Sequence, residues 1–277
     1  MPELPPPEDD GLLIPKVGEW ARDKHHFLYR YIYAFTTSMK AKGWTGLHYI
    51  DLFASAGIER GKGSGELIWG SPLLAAQAPH PFDMLHLCEL KGDRHQALAQ
   101  RVLGFRPDAQ DQVLHGDANA MVHEVLESIP DGSLSLAFLD PHGLHLNFDT
   151  VRALADKRTD LIVFFPDLLD ALRNWKSVYY GDPKSNLDQV LGEGADWRGV
   201  LESTPQDRWA WELRKLYATQ ISSLGYKEGE PERIYAHGHP LYRLLFFSKK
   251  QLGLDLWRRV TRKKRDDQHE FDFGAPP

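Results

Sequence analysis

The sequence predicts an α/β fold: a mostly parallel sheet, covered by helices on both faces and ending in an antiparallel hairpin. Three observations point there. Short apolar runs ending in an acid recur from Leu47 onward, separated by helix-like segments. Strands that alternate with helices need crossover connections, which pair them parallel and bury both sheet faces. Two late apolar runs, 233–236 and 241–247, are joined only by His237-Gly238-His239-Pro240, and so short a link makes them antiparallel.

Each element has its own reason. Residues 1–18 form an acidic, proline-rich arm that is expected to be extended and to bury little. Residues 19–264 are expected to form the α/β domain. It begins with a helix over 20–42, where Phe27, Tyr31, Phe35 and Met39 recur every fourth residue as a core-facing stripe, and Gly43 stops it. Strands are predicted at 47–54, 84–89, 112–117, 134–140 and 161–166. Helices are predicted between them at 71–78, 94–103, 119–129 and 148–155, with Ser71-Pro72 as an N-cap followed by proline at the first helical position. A helical and loop insert over 167–225 precedes the hairpin, with a loop at 174–198 and a helix at 207–224. A last helix over 252–264 ends in Arg258-Arg259-Val260-Thr261-Arg262-Lys263-Lys264-Arg265, and 265–277 is expected to be a disordered polar tail.

Composition narrows the classes. The 277 residues carry 33 Lys+Arg against 39 Asp+Glu, a formal charge of −6, which excludes a bulk polycation but not a local basic groove. Cys88 is the single cysteine, so the chain forms no internal disulfide and holds no iron–sulfur cluster with its own thiolates. Eighteen apolar residues never run together, and the start is acidic where a secretory signal is basic and apolar. A cytoplasmic location with no membrane association is the expectation.

The residues that carry chemistry fall at strand ends, where open α/β sheets bind ligands. Asp51-Leu52-Phe53-Ala54-Ser55-Ala56-Gly57 ends the first strand in small residues that let a backbone approach a ligand. Glu89 ends the second strand, suited to accepting both hydroxyls of a ribose. Asp117, followed by Ala118, ends the third and is placed to receive an adenine amino group, and Asp140 ends the fourth. Each acid alone is explained as an N-cap of the next helix. Together they match a nucleoside-carrying cofactor laid across the sheet edge. The nicotinamide fingerprint Gly-x-Gly-x-x-Gly and the phosphate loop Gly-x-x-x-x-Gly-Lys-Ser/Thr are both missing. S-adenosylmethionine has no phosphate to cradle and fits best. Five βα units closed by a hairpin also give the strand count and ending of the Rossmann-like class I methyltransferase sheet.

Several stretches together resemble the three-Cys-motif partner proteins, a group related to S-adenosylmethionine-dependent methyltransferases. They are Val17-Gly18-Glu19-Trp20-Ala21 with Lys24-His25, Tyr49-Ile50-Asp51-Leu52-Phe53-Ala54, and Gly70-Ser71-Pro72-Leu73. Phe138-Leu139-Asp140-Pro141-His142-Gly143-Leu144 and Asp160-Leu161-Ile162-Val163-Phe164-Phe165-Pro166 with Arg173-Asn174 follow. Leu187-Asp188-Gln189-Val190-Leu191-Gly192 with Trp197, and Leu241-Tyr242-Arg243-Leu244-Leu245-Phe246-Phe247-Ser248-Lys249, complete the set. The resemblance implies a cofactor pocket lined by Asp51, Gly57, Glu89 and Asp117. It also implies a separate radical-S-adenosylmethionine-like partner whose three cysteines hold an iron–sulfur cluster. Two positions depart from the pattern: Ser55 stands where the family has glycine, and His142-Gly143 follows Asp140-Pro141 where amino-methylating enzymes carry an aromatic.

Asp140 is the expected acceptor-side acid and His142 a proton acceptor near neutral pH, while a plain loop-capping role for His142 and His145 explains them as well. Lys24, Arg60, Lys62 and His145 are the expected contacts to substrate or nucleic acid, with a solvated helix face the simpler reading of Lys24, His25 and His26. The glycine-rich 57–65 is expected to be a mobile loop over the cofactor mouth or a plain linker. Cys88 inside a strand reads as buried rather than as the thiolate of a cytosine C5 enzyme. A metal site assembled from His142, His145, His237 and His239 lacks any recognisable spacing. The basic run 258–265 reads as phosphate-tracking or as a helix end favoured by cations. Gln268-His269-Glu270-Phe271-Asp272-Phe273 loosely resembles a sliding-clamp-binding peptide. Three functions result: a methyltransferase acting on nucleic acid, a non-catalytic accessory subunit of the iron–sulfur partner, and a metal-dependent nuclease.

Overall fold

The structure, a computed structural model, describes residues 4–18, 20–141, 143–166, 175–182, 184–236 and 239–269. The arm is extended, but it buries more than its composition predicts. Leu4 and Ile14 pack against the core, Pro7 is buried, and strand β1 (Lys16–Val17) pairs in parallel with β3 (Ile58–Gly61). The arm's acids find cations on the body: Asp10 takes two bonds from the buried Arg101 guanidinium (2.7 and 2.8 Å), and Asp9 takes one from Arg60 (2.8 Å). Arg101 also donates to the Leu13 and Ala56 carbonyls, at 2.9 and 2.6 Å. It thereby fastens the arm to the loop that follows β2 (Leu47–Asp51).

Helix α1 (Trp20–Met39) buries the expected stripe, each aromatic contributing about 1.5–3 kcal/mol. The glycine-rich segment differs from expectation. Its first half is β3, paired antiparallel with β4 (Leu67–Trp69), because alternating Ile58, Glu59 and Arg60 meet Trp69, Ile68 and Leu67 in register. Helix α2 (Ser71–Ala76) is capped by Gly70, so Ser71 is not the N-cap. Then come β5 (Met84–Glu89), α3 (Gly92–Phe105), β6 (Gln112–His115), α4 (Ala118–Glu127), β7 (Leu134–Leu139), α5 (Phe148–Ala155) and β8 (Thr159–Pro166).

The insert is more helical than its tryptophans and glycines suggest. After a π-helical turn at Trp175–Tyr179 come α6 (Asn186–Leu191), α7 (Trp197–Ser203), a short 3₁₀ turn and α8 (Trp209–Ser223). Side-chain caps start the first two: Ser185 and Asp188 form a capping box, and Asp196 accepts from the Gly199 amide (2.9 Å). Strands β9 (Lys227–Glu228), β10 (Glu232–Ala236) and β11 (His239–Ser248) and helix α9 (Gln251–His269) complete the chain. Helix α9 runs past the expected tail boundary at 264, and most of the clamp-like peptide lies outside the described residues.

Across the main sheet the order is β6-β5-β2-β7-β8-β11-β10, with β9 also on β11. The first five are parallel, and β11 runs antiparallel to β8 and β10. Strand parity separates two cores: Leu134, Leu136 and Phe138 of β7 face α1, α2, α3 and α9, while Ala137 and Leu139 face α4 to α8. The chain moves from β2 outward to β5 and β6, then crosses back to β7 on the other side of β2. The switch point, where a crevice opens, is therefore beside β2.

Candidate functional site

At the carboxyl ends of β2, β5 and β6 lies a cavity of about 620 Å³, within the range of small-molecule sites. Leu52 and Phe53 enter it from the turn after β2, and Glu89, Leu90, Lys91 and Arg94 from the β5–α3 junction. Asp117, Ala118 and Asn119 come from the start of α4, and Leu144, His145 and Asn147 from the loop before α5. The insert supplies Asn186 and Gln189.

Glu89 is nearly buried, and its Oε1 accepts from the Lys91 amide (2.8 Å), which leaves Oε2 for a ligand. Asp117 is indeed an N-cap: its Oδ1 accepts from the Asn119 amide (2.9 Å). Capping and ligand binding are compatible, because a carboxylate has a second oxygen and that residue also lines the cavity. Leu90 is 62% exposed, an apolar side chain left on the lining of the cavity.

The other two strand-end acids lie elsewhere. Asp51 is fully buried, held by the Phe53 amide (3.2 Å), the Tyr49 hydroxyl (3.4 Å) and the Ser71 hydroxyl. Burial pushes its carboxyl up to about 7 against the pull of the Ser71 and Phe53 hydrogen bonds. Asp140 makes a buried ion pair with Lys24 of α1. Burial opposes the Lys24 charge, but Asp140 and Glu59 outweigh it and raise the ammonium above its ordinary value; the ammonium also lies 5.1 Å from the Phe164 ring centre. Glu59 is raised chiefly by burial and His25 is pushed well below the usual imidazole value by the same cause. Glu59 Oε2 and His25 Nδ1, 3.9 Å apart, are buried without hydrogen-bond partners. Lys24 and His25 are thus interior groups, not a solvated face.

The structure therefore brings Phe53, Glu89, Asp117, Ala118 and His145 together on the cavity and leaves Asp51, Ala54, Gly57, Asp140, Lys24, Arg60 and Lys62 off its lining. Ala54 is buried, its amide donating to the Cys88 carbonyl (2.9 Å). Gly57, at φ +84°, folds onto Gly70, whose amide donates to its carbonyl (2.8 Å), so its freedom serves backbone packing. Ser55 adopts φ +55°, a left-handed conformation that glycine adopts without strain. Arg60 is occupied by Asp9, and Lys62 is exposed. His142 lies outside the described residues.

Sequence reasoning missed Leu90, Lys91, Arg94, Asn119, Asn186 and Gln189. Leu90 and Lys91 follow Glu89 directly and Arg94 lies in the first turn of α3, a signal that was legible. Gln189 follows Asp188 in an insert with no strand-end signal, and only the packing of α6 shows that it reaches the cavity. Cys88 is buried, its thiol pushed up to about 12 mainly by burial, so it is no nucleophile at neutral pH. Among the described residues no three His, Cys, Asp or Glu side chains group to hold a metal ion, and no helix is long and apolar enough to cross a membrane.

The strand order is that of a Rossmann-like, mostly parallel sheet with an antiparallel ending. A Legionella pneumophila protein of the DUF519 family shares the fold, with TM-score 0.50 and 14% identity over 85% of this chain and 91% of that one. The O-methyltransferase from Bacillus cereus in complex with SAH aligns at 0.49 and 8% identity, over 82% and 81% of the two chains. The O-methyltransferase TomG from Streptomyces achromogenes in complex with SAM aligns at 0.47 and 11% identity, over 82% and 80%. At 14% identity the likeness to the Legionella protein is one of fold alone. No family model matches the chain, and no curated protein matches it.

Proposed function

We propose that the protein is an S-adenosylmethionine-binding methyltransferase. The observation that carries this reading is the cavity itself: it opens beside the topological switch point with Glu89 from β5 and Asp117 from the start of α4 on its walls. The donor set fits the cofactor. Glu89 Oε2 would accept the ribose hydroxyls and the outer oxygen of Asp117 the base amino group, while Phe53, Leu90 and Leu144 offer apolar surface to the base plane. S-adenosylmethionine, when bound, supplies a sulfonium methyl group for in-line displacement. The chain's own contribution is then positioning and the exclusion of water.

Nucleic acid as acceptor is the finer part of the proposal, supported by Arg258, Arg259 and Arg262, exposed on α9. Partnership with a three-Cys-motif iron–sulfur protein rests on the family resemblance alone. A second reading, a non-catalytic accessory subunit of that partner, is favoured by one observation. The Asp140 carboxylate, expected to face the methyl acceptor, is instead neutralised inside the protein by Lys24.

Calorimetric titration with S-adenosylmethionine and S-adenosylhomocysteine tests the proposal. Binding of about micromolar affinity, lost in Glu89→Ala, is the expected outcome. No binding by a folded wild-type chain overturns it. Binding without methyl transfer to RNA or DNA, with the partner present, selects the accessory reading.

A further inference from the structure

We infer that helix α6 of the insert is the base-reading wall of this cavity, with Gln189 pairing the outer edge of a purine and Asn186 beside it. The inference rests on the nucleoside-cofactor reading above and adds to it the determinant of base identity. Asn186 and Gln189 are one helical turn apart on the face of α6 that meets the cavity. Leu187, Val190 and Leu191 on the same helix are buried in the core, so the carboxamides are presented by an anchored element.

The anchoring is unusually complete for six residues. Asp188 closes the capping box with Ser185, accepts two bonds from Arg198 (2.6 and 2.9 Å) and one from the Trp197 indole (2.8 Å). Arg198 reaches on to the Tyr180 and Asp182 carbonyls, at 3.0 and 2.8 Å.

The remaining hydrogen-bond capacity selects Gln189. The adenine edge bearing the amino group and N7 offers a donor next to an acceptor, and a single carboxamide complements both. Asp117 only accepts when ionised, so it takes one amino proton and leaves N7 without a donor. Asn119 cannot complement both: its amide donates one proton to the His145 carbonyl (2.9 Å), and its oxygen, which would have to accept the amino proton, already accepts from the Asn147 amide (2.9 Å) and the Thr150 hydroxyl (2.7 Å). Lys91 and Arg94 follow Glu89, on the ribose side. Gln189 donates one amide proton to the Lys184 carbonyl (3.1 Å), and among the described residues nothing takes its second proton or its oxygen. Asn186 is exposed beside it.

The test compares S-adenosylhomocysteine with its 7-deaza analogue, which lacks only the N7 acceptor, by calorimetry on the full chain. Wild type is expected to bind the analogue about tenfold more weakly. In Gln189→Leu, S-adenosylhomocysteine weakens to a similar degree and the difference between the two ligands falls to within twofold. Glu89→Gln weakens both ligands and keeps their ratio. Equal binding of both ligands by wild type, or an unchanged ratio in Gln189→Leu, overturns this inference while the cofactor reading stands. Binding of neither ligand by wild type overturns both.

Discussion

Asp51 shows how a single residue can look like a ligand and be an interior group. Its carboxyl titrates at about 7 in the folded chain against an ordinary value of 3.8, because burial outweighs its hydrogen bonds. Between about pH 4 and 7 the folded chain holds a proton that the unfolded chain has released, so stability falls as pH rises through that window, by about 1.4 kcal/mol per unit. Below the window both states are protonated and above it both are ionised, so the slope vanishes. Asp51→Asn is expected to remove this contribution, roughly 2–3 kcal/mol between pH 5 and pH 8. Urea denaturation of both proteins at the two pH values measures it. Asp160, also pushed up by burial to about 6, adds a slope of the same sign but is common to both proteins and cancels. An identical pH slope in wild type and variant would show that Asp51 stays ionised throughout.

At the scale of elements, two segments that composition marks as loose are fastened by ion pairs. The arm is held by Arg101, 2% exposed, which joins Asp10 to the Ala56 carbonyl and so links the arm, α3 and the turn after β2. Arg101→Met strips that carbonyl of its donor and leaves Asp10 unpaired, at an expected cost of about 2–3 kcal/mol. Limited proteolysis should then cut within residues 4–15 well before the body is digested. Equal protease resistance in the variant would mean that Leu4 and Ile14 hold the arm by apolar contact alone. In the insert, burial works against the Asp188 charge, but Arg198, Ser185 and Trp197 together hold its carboxyl down to about 2. The clasp therefore stays ionised into the range where an ordinary carboxylate, near 3.8, has begun to take up its proton.

For the whole molecule, a ligand that binds only the folded chain at the strand ends stabilises it by mass action. At a hundredfold excess over its dissociation constant, S-adenosylhomocysteine should add about 2.7 kcal/mol. That raises Tm by roughly 5–10 °C for a chain of this size. Glu89→Ala at the same ligand concentration should show almost none of this shift in a thermal melt. A shift of the same size in the variant would move the ribose away from β5.

Local pattern alone determined the parallel sheet, its order of elements and its closing hairpin. Continuous apolar runs report strands buried on both faces, a stripe at every fourth residue reports the buried face of α1, and a short link admits only an antiparallel return. The strand-end positions of Glu89 and Asp117 were legible for the same reason: strand ends are local. Other features depended on distant partners, and only the tertiary structure decided them. Lys24 and Asp140 meet from 116 residues apart, and Arg101 and Asp10 from 91. An acid at a strand end carries no local sign of whether a ligand, a helix amide or a distant lysine will take its charge. Gln189 reaches the cavity because α6 packs against α5, a consequence of the apolar residues beside it and of a clasp to Arg198. Sequence sets which residues seek a partner; the packing of the chain decides which partner each one finds.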